Sequence, residues 1–312
     1  MTHTTTTSSN LSLLKTKPPE AVPAFVIDYE AMRRRCLMPV EEFKTEPGVQ
    51  LTTIADTFYC FIDNGADILA VAHLDTVQPP AHFERLVLPH RDLVFSPTLD
   101  DRLGVYIILD LLPGLIGKRY DILLTTDEER GNSSAKHFTP PRRYNWMFEF
   151  DRRGDDVALY QYGYSEAVKI LQANYNLPVS RGSYTDICDL GHLGCFGMNV
   201  GVGYDDAHSL DANADMDMLK RMVAKFVRFF NDNRSTHFPF VPEPPVNEME
   251  VFLQDDLWPD MPVKPKDAYT DFFCRYCGGL VELPDEFIDE SEIDEFGYCY
   301  YEGICPQCLY SG

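Results

Sequence analysis

The chain has 312 residues, 45% hydrophobic and 24% charged, with 27 Lys and Arg against 49 Asp and Glu for a formal charge of −22. That length supports one sizeable core with a small appendage, and that apolar content excludes wholesale disorder. The acidity disfavours nucleic-acid backbones and anionic membranes, and no run of 18 apolar residues predicts a transmembrane helix.

The opening MTHTTTTSSNLSLLKTKPPE has neither a basic n-region nor an adequate apolar h-region, so residues 1–23 are expected to be a frayed polar tail rather than a secretory signal. Strand-like and helix-like segments then alternate through residues 24–235. A helix is predicted over Tyr29–Leu37, strands over Thr57–Ile62 and Asp67–His73, and a helix over Asp101–Leu112. There follow a strand over Tyr120–Thr125, a helix over Ser133–Phe138, and strands over Asn145–Phe150 and Val157–Tyr162. A helix over Glu166–Tyr175, a strand over Phe196–Val202 and a helix over Asp215–Phe230 complete the series. The strands are short apolar runs, as expected when both faces are buried. In the last helix Leu219, Met222, Val223, Phe226, Val227 and Phe230 follow the i, i+3, i+4, i+7 rule. Alternation of this kind predicts an α/β fold, a mixed sheet between helical layers. Residues 236–268 read as a Pro-rich linker, and 269–312 as a second small module.

Acids and histidines gather where the predicted strands end. In Ala72-His-Leu-Asp-Thr-Val77, residues two apart on a strand share a side, so His73 and Asp75 face one site. That pattern suits a metal-binding imidazole steadied by a carboxylate. In Leu99-Asp-Asp-Arg-Leu-Gly-Val105 two carboxylates open a helix, which N-capping alone also explains. The run Asp127-Glu128-Glu129 is electrostatically awkward without a cation nearby, unless it is a solvated loop. Asp151 follows the apolar strand ending at Phe150, and His208 follows another such run, where an ordinary histidine is the plainer reading. In open α/β sheets ligand sites lie at the carboxyl ends of strands, so these groups can converge on divalent metal. Imidazole with carboxylate suits Zn²⁺, with Mn²⁺ or Co²⁺ as alternatives. No GxSxG, P-loop or complete GxGxxG is present.

The order HxD, DD, EE, D, H resembles the co-catalytic di-zinc exopeptidases and amidohydrolases, among them the single-domain zinc aminopeptidases, peptidase T and the acetylornithine deacetylase group. The matching segments are AHLDTV at 72–77, LDDRLGV at 99–105, DEERG at 127–131, EFD at 149–151, Gly182-Ser-Tyr-Thr185-Asp186 and GYDDAHS at 203–209, spanning about residues 25–232. The resemblance implies a three-layer αβα zinc-exopeptidase-like fold holding two catalytic zinc ions. By the same resemblance His73 and Asp151 would bind the first zinc and Glu129 and His208 the second. Asp100 would bridge them, with a cis peptide after it; Asp75 would orient His73, and Glu128 would be the general base. Cleavage of a peptide or N-acyl amide by zinc-activated water is the implied reaction, with an exopeptidase the leading reading and an N-acyl deacylase or a non-catalytic adaptor as alternatives. Arg152 and Arg153 are candidates for contacting a substrate carboxylate or other anion, or else neutralise the acidic rim. Only 56 residues separate Asp151 from His208, too few for the lid domain of the deacetylase branch.

Nine cysteines are present, five of them in the last 39 residues. Cys274 and Cys277, then Cys305 and Cys308, form two CxxC pairs 27 residues apart, similar to a zinc ribbon holding one structural zinc in a reducing, cytoplasmic setting. Between Asp267 and Glu302 this module has eleven acids against the single base Arg275, which points to a basic protein partner rather than nucleic acid.

Overall fold

The computed structural model describes residues 24–242 in full, together with the backbone of residues 272–273 and 280–281. The chain divides into two units, Met1–Pro245 and Val246–Gly312. In the second, β13 (Phe272–Phe273) and β14 (Leu280–Val281) pair antiparallel. Cys274, Cys277, Cys299, Cys305 and Cys308 lie outside the described residues, as do residues 1–23 and most of the Pro-rich segment.

The first unit is a mixed α/β fold around an eight-stranded sheet. Four parallel strands form its centre: β6 (Asp121–Thr125), β3 (Ile68–His73), β7 (Trp146–Glu149) and β10 (Phe196–Val200). On one side β2 (Thr57–Ile62) and β1 (Val49–Ile54) continue it antiparallel. On the other, β8 (Val157–Ala158) runs antiparallel to β10, and β9 (Val179–Ser180) parallel to β8. β3, β6, β7 and β10 are buried at every position, which explains their mainly apolar sequence, with His73, Asp121, Thr125, Glu149 and Asn199 as the buried polar exceptions.

Side chains alternate across β7, and the two faces meet different partners. Trp146 and Phe148 point toward α5 (Met216–Asn233), where Phe226, Phe229 and Phe230 pack against them with ring centroids 4.5–6.3 Å apart. Asp215 caps α5, accepting 2.9 Å hydrogen bonds from the amides of Asp217 and Met218. The same layer holds α1 (Tyr29–Leu37), α2 (Leu99–Tyr106), α3 (Leu112–Ile116) and α4 (Glu166–Tyr175). Met147 and Glu149 face the opposite side, which carries 3-10 helices at Ser134–His137 and Asp186–Leu193. Phe226 is 1% exposed and touches four aromatic rings. Phe226→Ala is therefore expected to cost about 3–5 kcal/mol in chemical denaturation, whereas Arg221→Ala on the exposed face of α5 should cost less than about 0.5 kcal/mol.

Several sequence expectations are corrected. The strand expected over Val157–Tyr162 stops at Ala158, because Tyr160 takes a positive φ of 53°. The segment Ser133–Phe138 forms only the 3-10 turn Ser134–His137. The helix from Asp101 passes through a π-helical stretch at Ile107–Leu111 and runs on to Ile116. A second sheet was not foreseen at all: β4 (Glu84–Leu88) pairs with β5 (Arg91–Phe95), then β12 (Asn213–Asp215), then β11 (Tyr204–Asp205), all antiparallel. No helix among the described residues is long and apolar enough to cross a membrane.

Candidate metal centre

Each acid and histidine of interest is delivered by the end of a central strand or the start of a helix. β3 stops at His73, so Asp75 lies in the loop beyond it and not on the same strand face. The steadying contact differs accordingly. His73 Nδ1 is 2.9 Å from the Asp75 carbonyl oxygen, while the Asp75 carboxylate stands 3.7 Å away and accepts instead from the Glu129 amide at 3.2 Å. After β6, Asp127 adopts a left-handed conformation (φ 66°) and Gly131 another (φ 64°). The tight turn between them returns Glu128 and Glu129 toward β3. Past β7 comes Asp151. His208 sits in the loop of the β11–β12 hairpin, so the unforeseen sheet is what holds it. Its backbone is left-handed (φ 66°), and its carbonyl accepts from Gln78 Nε2 at 3.0 Å.

The paired acids of α2 divide their work. The Asp100–Asp101 peptide is cis, and both residues have non-helical dihedrals. Asp101 turns inward and accepts from the Gly104 amide at 3.1 Å, a helix cap. Gly104 leaves room for that contact, since a Cβ there would lie 2.2 Å from Asp101 Oδ1 and displace the carboxylate. Asp100 is left facing the site. Its Oδ1 is 3.1 Å from His73 Nε2 and its Oδ2 3.1 Å from His208 Nε2.

Two ligand sets follow, His73–Asp100–Asp151 and Asp100–Glu129–His208, each with donor atoms within 4.8 Å of one another. They share Asp100. His208 Nε2 lies 3.0 Å from Glu129 Oε2, and His73 Nε2 lies 3.9 Å from Asp151 Oδ2. Glu128 belongs to neither set, yet its Oε2 is 3.7 Å from His73 Nε2. The donors fit divalent metal: imidazole nitrogens and carboxylate oxygens converge, and Glu129 Oε1 and Asp75 Oδ1 are buried without a hydrogen-bond partner.

Behind the ligands lies a polar layer that sequence reasoning left without roles. Tyr204 donates its hydroxyl to Asp151 Oδ1 at 2.8 Å. Thr185 Oγ1 sits between Asp151 and Glu149, and Glu149 also accepts from the Ile187 amide at 2.6 Å. Asp186 accepts from Thr125 and Ser133. The EFD and Gly-x-x-Thr-Asp segments were the available signal, but only the fold shows what each residue touches.

This crowding moves the protons. Burial pushes Glu128 up to about 8, with Asp186, Asp100 and Glu129 adding to it and His73 opposing. Burial likewise raises Asp101, Glu149, Asp151 and Asp186, chiefly because a buried carboxylate loses its water. Burial disfavours the His73 imidazolium, but its hydrogen bond to Asp100 and the charges of Asp151 and Glu128 outweigh that and raise it. Asp100 goes the other way: burial would raise it, and His208 and His73 hold it down. A raised folded-state value means the folded chain keeps protons that the unfolded chain releases, so stability falls as pH rises through that window. The lowered Asp100 acts only below the ordinary carboxylate range. The metal-free chain is therefore expected to lose thermal stability between about pH 5 and pH 8. Zinc at a thousandfold its dissociation constant should add about 4 kcal/mol, a rise in Tm of roughly 8–16 °C in a calorimetric scan at pH 8.

No protein-family model matches the chain, and no curated protein matches it. Among solved structures it is similar to the aminopeptidase PepT from Bacillus cereus, at 10% identity and a TM-score of 0.46 over 65% of this chain and 98% of that one. It is similar to a tripeptidase from Staphylococcus aureus, at 11% identity and 0.47 over 64% and 96%. It is also similar to the TET1 peptidase from Pyrococcus horikoshii, at 13% identity and 0.46 over 64% and 98%. These scores fall below 0.5, so the functional reading rests on the side chains alone.

Proposed function

We propose that the chain is a metal-dependent amide hydrolase of the exopeptidase class, acting on a peptide or N-acyl amino acid. The observation that carries this reading is the pair of ligand sets sharing Asp100, with Glu128 beside them and outside both. In it His73, Asp100 and Asp151 would hold one divalent ion and Asp100, Glu129 and His208 the other. Zinc suits the donors, with Mn²⁺ or Co²⁺ as alternatives. When bound, such ions acidify water and polarise a carbonyl.

The chain's own residues do the rest. Glu128, buried and 9% exposed, accepts the proton of the attacking water and hands it to the leaving amine. Asp75 fixes the His73 ring through its carbonyl, and Tyr204 and Thr185 fix the Asp151 carboxylate, so the donors are preorganised. In the same reading Cys274, Cys277, Cys305 and Cys308, which lie outside the described residues, would hold one structural zinc, in a reducing compartment.

The test is turnover of a panel of dipeptides, tripeptides and N-acyl amino acids by zinc-loaded protein, with chelator-treated protein beside it. Chelator-sensitive hydrolysis of at least one class is expected. Full metal loading with no turnover across the panel would support the adaptor alternative and defeat the enzyme.

A further inference from the structure

Arg152 and Arg153 are adjacent in sequence, and both line the cavity of about 550 Å³ that contains Asp100, Glu128 and His208. Their guanidinium groups are in opposite situations. Arg152 is spent inside the protein: its Nε and Nη2 donate to the Asp156 carboxylate at 2.7 and 2.9 Å, and Nη2 reaches Ser180 Oγ at 2.8 Å. That fork closes the Asp151–Asp156 loop on itself. Arg153 is exposed, and its guanidinium makes no hydrogen bond or ion pair among the described residues.

Its backbone, in contrast, is fixed on both sides. The Val202 amide donates to the Arg152 carbonyl and the Gly203 amide to the Gly154 carbonyl, each at 3.0 Å. Arg153 itself bridges to Tyr204. The two chains approach so closely that a Cβ on Gly201 would lie 2.6 Å from the Gly154 carbonyl oxygen. A backbone hydrogen-bonded on both sides thus presents an unspent guanidinium to a cavity whose lining also holds Asp100, Glu128, Glu129 and Asp151, with Arg152 and Arg181 as its other guanidinium groups.

We propose that Arg153 receives the α-carboxylate of the substrate, and that the substrate is a short amide ending in that carboxylate, a dipeptide or an N-acyl amino acid. This rests on the hydrolase reading above and narrows it. Two residues of chain span at most about 7 Å, so the Arg153 backbone lies no further than that from Asp151. That reach suits a carboxylate one residue beyond the scissile amide. The anion is a carboxylate because it is the charge that every free peptide C-terminus and every N-acyl amino acid carries, and a planar guanidinium fork matches it with two parallel hydrogen bonds. Arg152 is a positioning residue that acts through the loop.

Binding separates this from turnover. In the zinc-loaded Glu128→Gln variant, hippurate and its neutral amide, hippuramide, are compared by titration calorimetry. Hippurate is expected to bind about 10–100-fold more tightly, the range of a charged hydrogen-bonded pair. Adding Arg153→Gln should reduce that preference below about threefold, whereas adding Arg221→Gln, on the exposed face of α5 and outside the cavity lining, should leave it intact. Equal affinities in the parent variant overturn the proposal. So does a preference that survives Arg153→Gln, which would mean that the carboxylate is held elsewhere in the cavity, by metal or by Arg181. Wild-type turnover is scored separately: a dead enzyme that keeps the Arg153-dependent preference loses the hydrolase reading and retains the carboxylate site.

Discussion

Replacing Glu128 by Gln is expected to lower turnover by about 10²–10⁴-fold while the protein keeps its metal. The amide is nearly the same size as the carboxyl and fills the same buried position, so packing is preserved. What it loses is the ability to take a proton. Glu128 is outside both ligand sets, so its replacement removes no donor from either. It should also relieve part of the crowding between Glu128, Asp100 and Glu129, so metal-free stability at pH 8 should hold or rise. Metal content by plasma spectrometry and initial rates on the best substrate check the two halves separately. A variant that keeps more than a tenth of the wild-type rate would remove Glu128 from the chemistry.

Asp100→Ala is expected to have the broadest effect of any single change. Asp100 is common to both ligand sets, with one oxygen 3.1 Å from each imidazole. Its removal takes a donor from both groups at once and frees His73 and His208 of the carboxylate that holds them. Metal should be lost from both positions, and turnover should fall at least as far as with Glu128→Gln. The neighbouring Asp101→Ala should behave differently. Asp101 caps the helix through Gly104 and is 0% exposed, outside both ligand sets, so that change acts on stability, by about 0.5–2 kcal/mol, as a lost cap does. Parallel metal and denaturation measurements on the two variants would separate the adjacent acids. If both lost metal equally, the division of labour between them would be wrong.

The central strands were legible because each is buried on both faces and so reads as a short, mainly apolar run between turn residues. The α5 helix was legible because its aromatic stripe has the helical period. What escaped notice was the second sheet. β4 is exposed at all five positions, so Glu84–Leu88 shows no alternation, and β11 and β12 have only two and three residues. That sheet nevertheless sets the His208 loop, so the sequence could name His208 but not explain its placement. The acids and histidines were visible as strand-end clusters. Their partners were not: Tyr204 and Thr185 are 53 and 34 residues from Asp151, a separation no local pattern reports. The HxD spacing suggested two side chains on one strand face, whereas the strand ends at His73 and a carbonyl makes the contact. The two adjacent arginines looked equivalent until Asp156 was seen to occupy one of them.

The most direct test is a crystal structure of the zinc-soaked protein with anomalous diffraction collected above and below the zinc edge. Two anomalous peaks are predicted, one among His73, Asp100 and Asp151 and one among Asp100, Glu129 and His208, with Asp100 reaching both. A fully occupied crystal with no peak at these residues, or with a single ion that leaves either histidine uncoordinated, would contradict the two-metal account.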